Sequence, residues 1–299
     1  MPELPEVTVI VNGLNKKLKG LVLDSIEYNW PKKFDWGKFS IKDLKGQKVE
    51  KVERAGKIVL IRLGSRITIL IHLKLTGQLI YQDAKTRIAG GHPIPPLNLP
   101  VPNKTTRVTF TFAGGGPTSS RLRGTSHLYF NDVRKFGWVK IVESEESKIK
   151  EAIGTDLGPD ALEISFEEFR ERLKAKGQWR IKKLLMDQSF ISGVGNIYSD
   201  EALWNAKIHP RRSPASLSDS EVKALFEGIR ESLNLAIEKG GSSASAFVDS
   251  GGERGLYLSY AHAYHMTGKP CARCKTPIVR EKIDGRSAHF CPSCQKPKA

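Results

Sequence analysis

The apolar positions change their period along the chain. Val7, Ile10, Val11, Leu14 and Leu18 recur at helical spacing directly after the opening MPELPEV. They predict a helix that Pro5 suits at its first turn, where no proline N–H is needed, and that Gly20 stops. Over 21–143 the texture becomes short β-rich runs, LVLDSIEY, KIVLIRL, RITILIHL, RVTFTF, HLYFND and GWVKIVE, several of them set apart by Gly, Asn or Asp. Their number and brevity predict a sandwich or barrel. The stretch 84–106, with GGHPIPPLNLPVP inside it, is too proline-rich for a central strand and reads as a long surface loop. A second loop, AGGGPTSS, covers 113–120 and is expected to run on to about 126.

Past Glu143 the pattern turns helical, in FEEFRERLKAK, IKKLLMDQ and SDEALWNAK. The longest helix is predicted over 218–239. Ser218 and Glu221 form a capping-box pattern, and Val222, Leu225, Phe226, Ile229, Leu233 and Ile237 make the buried stripe. Gly240 and Gly241 end it. A glycine-rich loop, SSASAFVDSGGERG, and a small cysteine-bearing tail follow. Three parts are expected: a β-rich domain over 1–143, a helical domain over 144–241, and a segment over 242–299 whose last part, from about 265, is a metal-bound finger.

Composition adds little to this until charge is counted. A chain of 299 residues, 39% hydrophobic and 27% charged, is ordinary for a globular protein with a real core. No run of 18 apolar residues is present, so no transmembrane helix is expected, and the acidic start does not resemble a secretory signal. The 48 Lys and Arg against 32 Asp and Glu, a net +16, argue for a polyanionic partner, nucleic acid first. The four cysteines all lie near the end, so no disulfide framework is expected in the body, which fits a reducing, cytoplasmic setting.

Those cysteines form two CxxC pairs, Cys271 with Cys274 and Cys291 with Cys294. Four thiolates at this spacing reach one tetrahedral zinc ion and leave no coordination position for water, so the metal is structural. A redox CxxC motif would not explain two of them. Asp284-Gly285 between the pairs signals a two-residue hairpin turn, which places Arg286 at an exposed tip. A solvated arginine is the ordinary reading of such a residue; in a chain this basic, the tip reads as a phosphate grip.

Gly193-Val194-Gly195-Asn196 joins two helical segments. Two glycines allow a tight turn with backbone N–H groups near a ligand, and Asn196 is suited to cap the next helix, with Asp200 and Glu201 favouring its first turn. A helix N-terminus with free amides suits a phosphate, although a plain interhelical turn accounts for the residues too. Lys182 on the preceding segment tilts the reading towards phosphate.

The opening residues carry chemistry of their own. With Met1 removed, Pro2 exposes a secondary amine with a pKa of about 8, roughly a tenth of it neutral at pH 7, against about one part in 2500 for a lysine. An unprotonated amine attacks an electrophilic carbon, and a secondary amine still forms a cationic iminium with a ring-opened sugar. Glu3 beside it can supply a proton, and Glu6, one helical turn on, can hold Glu3 or the amine in place. Helix N-terminal electrostatics is the bland explanation for both acids.

PELPEV, the lysine of RAGKIVL, HLKLTG, NDVRKFG, GVGNIY and the four-cysteine finger, in that order and nearly end to end, resemble the bacterial formamidopyrimidine-DNA glycosylase family. The resemblance implies an α+β multidomain chain: an N-terminal β-sandwich with a leading helix, a helix-two-turn-helix domain, and a zinc-bound β-hairpin finger. It implies a bifunctional DNA glycosylase and abasic-site lyase that removes oxidised purines from damaged duplex DNA, holds one structural zinc, and works as a cytoplasmic, nucleoid-associated monomer. By the same resemblance Pro2 is the nucleophile, Glu3 the proton donor and Glu6 a supporting acid. Lys57 contacts phosphate and assists β-elimination, and Arg286 binds phosphate and assists δ-elimination. His72 is a further phosphate contact, and a core histidine fits that position nearly as well. Arg134 and Phe136, two residues apart on a strand-like loop, and Leu75 fill the space left by a flipped base. Lys135, Lys182, Asn196 and Tyr264 are additional DNA contacts.

The chain departs from the family where Leu75 replaces a usual methionine, Val133 a proline, Lys135 an arginine and Thr105 a histidine. These positions bear on opposite-base choice and phosphate affinity. GGERGLYLS lies where the family folds a lid over the flipped base. The sister enzyme endonuclease VIII, which prefers oxidised pyrimidines, tends to have glycine where Leu4 stands. A noncatalytic zinc-finger DNA-binding protein would leave Pro2 and Glu3 without a task.

Overall fold

Helix α1 (Leu4–Leu18) buries Val7, Ile10, Val11, Leu14 and Leu18, the stripe that the spacing predicts, and Leu4 besides, and ends at Lys19 before Gly20. The computed structural model describes residues 1–64, 66–91, 99–114, 124–154, 156–242 and 255–297. The chain divides into two compact units, Met1–Thr155 with Gly240–Gly255, and Asp156–Lys239 with Leu256–Ala299.

In the first unit α1 is followed by β1 (Val22–Tyr28), β2 (Phe34–Asp35), α2 (Ile41–Leu44), β3 (Val49–Ala55), β4 (Ile58–Leu63), β5 (Ile67–His72), β6 (Gly77–Gln82), β7 (Arg87–Gly91), β8 (Thr106–Ala113), β9 (Ser126–Asp132), β10 (Trp138–Glu143) and α3 (Glu146–Ile153). The strands form two five-stranded sheets, ordered β1-β8-β9-β6-β7 and β2-β10-β5-β4-β3. Every pairing is antiparallel except β2 with β10. Val59, Ile61, Ile69 and Ile71 from one sheet share a single core with Val108, Phe110, Phe112, Leu128 and Phe130 from the other and with α1, so the expected sandwich is present. Strand β8 alternates buried and half-buried residues along most of its length, as a strand with one face in the core should.

Several strands were not legible as runs. In β3, VEKVERA, only Val49 and Val52 are buried, so its apolar signal is thin. Strand β7 falls inside the stretch read as a loop; it pairs with β6 at a sheet edge. The tips of both expected loops, 92–98 and 115–123, lie outside the described residues. The first unit also runs past the expected boundary at 143. Ile149 of α3 packs with Ile58, Leu60 and Leu70, covering the outer face of β4 and β5.

The second unit contains α4 (Phe166–Lys174), α5 (Ile181–Leu185), α6 (Asn196–Asn205), α7 (Asp219–Glu238), β11 (Val279–Ile283) and β12 (Arg286–Phe290). Ser218 caps α7 and Glu221 completes the capping box, as the sequence predicts. Helix α7 buries Val222, Leu225, Ile229 and Leu233, together with Gly228. A Cβ on Gly228 would sit 3.0 Å from the Ala202 carbonyl, so this glycine sets the close approach of α7 to α6. Helix α6 is buried from Ile197 to Trp204 on all sides, which explains why its sequence shows no clear polar face. The finger hairpin belongs to this unit, where β12 packs on α6. Among the described residues no helix is long and apolar enough to cross a membrane.

Gly77, at the start of β6, is the tightest point beneath the Leu75 loop: an added Cβ would lie 2.3 Å from the Leu73 carbonyl oxygen. Gly77→Ala is expected to cost about 1–3 kcal/mol, seen as a lowered midpoint in thermal or urea unfolding.

Candidate active site

The chain start is buried and held from two sides. The backbone N–H of Glu3, the N-cap of α1, donates to Glu6 Oε2 at 2.8 Å, and the N–H of Ser242 donates to Glu6 Oε1 at 2.8 Å. Pro2, Glu3 and Glu6 are all buried. Burial lowers the pKa of the Met1 amine; Glu3 and Glu6 pull it upwards, and Lys57 pushes it down. The amine, two carboxylates and one lysine therefore share one electrostatic neighbourhood. Lys57 is not in a strand as expected. It sits in the tight turn between β3 and β4, after Gly56 with φ +53°, and is buried.

His72 ends β5 opposite Ile58, the residue that follows Lys57. Its Nδ1 accepts the N–H of Lys74 at 3.1 Å, and its ring stands edge-on to Trp138 at 5.5 Å. Burial, then the Lys74 and Lys57 charges, push its pKa down to about 3. The ring is thus neutral with the proton on Nε2, a hydrogen-bond donor and not a cation.

The loops after β5 and β9 are tied together. Thr76 Oγ1 donates to Asp132 Oδ1, the Arg134 N–H donates to Thr76 Oγ1 at 3.2 Å, and the Gly137 N–H donates to Asp132 Oδ2 at 2.8 Å. This clamp brings Leu75, 41% exposed, and Phe136, 52% exposed, onto linked loops with the exposed Arg134. Such bare apolar side chains beside an arginine suit a wedge between bases. The loop is not strand-like, however: Lys135 has φ +59°, and its Nζ lies 4.4 Å from the centre of the Trp30 ring. Lys135 is thereby engaged in a cation–π contact.

In the second unit the glycine turn is braced by Gln188. Its Oε1 accepts the Gly193 N–H at 3.0 Å and its Nε2 donates to the Val194 carbonyl at 2.8 Å. Gly195 is the N-cap and Asn196 the first helical residue, so the helix starts one position earlier than expected, because Gly195 supplies the extended cap conformation. Asn196 Oδ1 is buried with no partner among the described residues. Asp200 and Glu201 are not surface charges in a first turn. Glu201 accepts the N–H groups of His262, Ala263 and Tyr264 at 2.7–2.9 Å; burial raises its pKa and these bonds pull the other way. Lys182, expected to favour phosphate, is buried against Asp200, and its charge is satisfied inside the protein.

The finger hairpin turns at Asp284 and Gly285, with φ +47° and +79°, and Arg286 is exposed just beyond, as predicted. Asn196, Tyr264 and Arg286, three of the expected DNA contacts, line one groove of about 560 Å³ with Arg280 and His289. The four cysteine sulfurs all lie within 4.8 Å of one another. A tetrahedral zinc with bonds of about 2.3 Å needs sulfurs roughly 3.8 Å apart, so the set fits one zinc ion. Gln295 secures the site from outside: its Oε1 accepts the Cys291 N–H at 2.8 Å and its Nε2 donates to the Ile208 carbonyl at 2.9 Å.

Residues 1–139 match the "Formamidopyrimidine-DNA glycosylase N-terminal domain", 157–248 the "Formamidopyrimidine-DNA glycosylase H2TH domain" and 268–297 the "Zinc finger found in FPG and IleRS". The chain is 36% identical over 301 residues to the formamidopyrimidine-DNA glycosylase of Pelotomaculum thermopropionicum, covering 100% of both chains. It is 37% identical over 302 residues to that of Streptococcus mutans, covering 99% of this chain and 100% of the relative. The chain belongs to the formamidopyrimidine-DNA glycosylase family. It is therefore a DNA glycosylase of base-excision repair, in a family with abasic-site lyase activity, and its finger is the family's zinc finger. Among solved structures it is similar to Lactococcus lactis Fpg in complex with DNA containing an abasic site, with a TM-score of 0.81, 29% identity and coverage of 99% and 100% of the two chains. A variant of the same protein in complex with a Fapy-dG containing DNA gives a TM-score of 0.82 at 31% identity, with coverage of 99% and 100%.

Against this family, the four departures take different places. Leu75 and Val133 are exposed on the two linked loops, Lys135 is stacked on Trp30, and Thr105 is occupied within its own turn, donating to Asn103 Oδ1 at 2.7 Å. Of the segment expected to form a lid, 251–254 lies outside the described residues. Two partners had no sequence signal: Ser242, which completes the hold on Glu6 from 236 residues away, and the Thr76–Asp132 clamp.

His72 supplies a pH test. An unfolded histidine titrates near 6.5, and this one near 3 when folded. Between those values the unfolded chain binds the extra proton, so its contribution to stability falls as pH drops from 6.5 towards 3 and is flat above 6.5. The His72 ring resonances are expected to stay constant in NMR spectra from pH 8 to pH 5; a midpoint near 6.5 would contradict the buried neutral ring.

Proposed function

We propose that this glycosylase removes oxidised purines, 8-oxoguanine and formamidopyrimidines, from duplex DNA and then cuts the strand through a Schiff base on Pro2. The observation that carries this reading is the hold on the chain start, in which Glu6 accepts the N–H of Glu3 on one oxygen and that of Ser242 on the other. It fixes Pro2 and Glu3 in a desolvated site: burial holds the Met1 amine below its usual pKa, and a Pro2 amine exposed there once Met1 is removed keeps a larger neutral fraction for the same reason.

With Met1 removed, the Pro2 nitrogen bonds to C1′ of the damaged nucleotide and the C1′–base bond breaks, the base leaving with a proton. Glu3 protonates the ring oxygen, and the sugar opens to an iminium. The cation acidifies C2′. Loss of that proton breaks the C3′–oxygen bond in β-elimination, with Lys57 as the acid at the leaving oxygen. Loss of a C4′ proton then breaks the C5′–oxygen bond in δ-elimination, assisted by Arg286, and water hydrolyses the Schiff base to free the enzyme. His72 donates from Nε2 to a phosphate. Leu75, Arg134 and Phe136 fill the gap left by the flipped nucleotide, with Arg134 bonding the orphaned base. Asn196 and Tyr264 hold backbone phosphates, and Lys135 contributes charge through its stack on Trp30, whereas the Lys182 charge is taken up by Asp200 and is left out of the DNA contacts. The partner is damaged double-stranded DNA, and the enzyme works as a monomer in the bacterial cytoplasm, associated with the nucleoid through DNA.

Pro2→Gly tests the assignment. Cleavage of DNA carrying 8-oxoguanine is expected to fall at least about tenfold, while binding to uncleavable abasic-site DNA changes less than about threefold. Equal losses of binding and cleavage would defeat the nucleophile role. A parallel excision assay on an oxidised pyrimidine is expected to be the slower of the two, and the reverse order would place the chain with the endonuclease VIII type of substrate.

A further inference from the structure

Asp200 stands at a junction that the excision chemistry leaves without a task. It is buried on α6, one helical turn beyond Asn196. Its Oδ1 pairs with Nζ of Lys182 on α5. Its Oδ2 accepts both the backbone N–H of His289 at 3.0 Å and the ring Nδ1–H of His289 at 2.9 Å. His289 is the fourth residue of β12, and Arg286 is the first. One carboxylate thus fastens the free edge of the finger hairpin to the helix that begins with Asn196.

A buried lysine, carboxylate and histidine are an expensive way to join two elements, since apolar packing of equal volume holds as well or better. What such a set supplies and apolar packing does not is a fixed direction. The two bonds from one strand residue to one carboxylate fix the slide and the tilt of β12 on α6 together. The groove beside this junction is lined by Asn196, Arg286 and Tyr264, and the Tyr264 ring stands edge-on to His289 at 5.1 Å. Two weaker ties, Arg180 to Asp284 at 2.8 Å and Arg211 to Glu281 at 2.8 Å, join exposed partners on the other hairpin positions. The buried tie is the one that solvent and salt do not loosen.

We propose that Asp200 is a positioning residue: through His289 it sets the distance and direction of Arg286 relative to Asn196, and thereby the efficiency of the δ-elimination step. This rests on the assignment of that step to Arg286.

The test uses the zinc-loaded, full-length enzyme on an abasic-site duplex. It compares the share of cut strand ending in a 3′-phosphate, the product of both eliminations, with the share ending in the unsaturated aldehyde of β-elimination alone. Borohydride trapping on the same DNA reports the Pro2 step separately. The double variant Lys182→Met/Asp200→Leu removes the charges together and so leaves no buried charge unpaired. Its ratio of 3′-phosphate to aldehyde is expected to fall about tenfold, with the trapping rate within about twofold of wild type and one zinc per chain. His289→Phe, which keeps Asp200 paired with Lys182 and keeps the backbone bond, is the milder variant, with an expected fall of about threefold. An unchanged ratio in His289→Phe together with an unchanged ratio in the double variant would overturn the positioning role. So would a parallel loss of trapping and of the 3′-phosphate share, which marks a general structural effect. A wild-type enzyme that gives no trapped adduct would defeat the Pro2 mechanism instead, a result distinct from either of these.

Discussion

One buried carboxylate holds the beginning of the chain. Glu6 has two oxygens, and each is committed to a backbone N–H, that of Glu3 and that of Ser242. A carboxylate that is 2% exposed is stable only when its lone pairs are satisfied, and here the partners are the residue next to Pro2 and a residue after the longest helix. The consequence is local rigidity at a point where chains ordinarily fray. Glu3 shares the task of fixing the backbone, its side chain accepting the N–H of Glu6 in the capping box of α1. Lys57, in its turn between β3 and β4, adds a positive charge to the same neighbourhood and opposes protonation of the Met1 amine.

The rest of the chain uses charge in two distinct ways. Exposed cations such as Arg134 and Arg286 sit on short loops or turns whose geometry is set by buried polar groups: Asp132 under the loop carrying Arg134, Asp200 and Glu201 behind the groove that Arg286 lines. The net +16 is the attractive field for a polyanion. The buried acids aim it. Zinc serves the same end in the finger, holding β11 and β12 in a segment too small to supply a core of its own.

Much of this was legible in the residues. The α1 stripe, the Ser218 capping box, the Asp284-Gly285 turn and the paired CxxC motifs are local signals, and the structure follows them. The errors share one cause. Lys182 was expected to favour phosphate, and Asp200 and Glu201 to favour the first turn of α6, and each is buried through partners distant in sequence. Lys135 was expected on a strand-like loop, but its positive φ turns it onto Trp30. No periodicity announces such contacts. Strands β3 and β7 were missed for the opposite reason, since few apolar residues mark them at their sheet edges, and inner β6 was missed although Gly77 to Tyr81 are buried.

The proposed lyase chemistry depends on which nitrogen bonds to the sugar. Borohydride reduction of the enzyme on abasic-site DNA, followed by digestion and mass spectrometry of the cross-linked peptide, reads this directly. The adduct is expected on the nitrogen of Pro2, in a peptide that lacks Met1. An adduct on Lys57 or another lysine, or a competent enzyme that retains Met1, would contradict it.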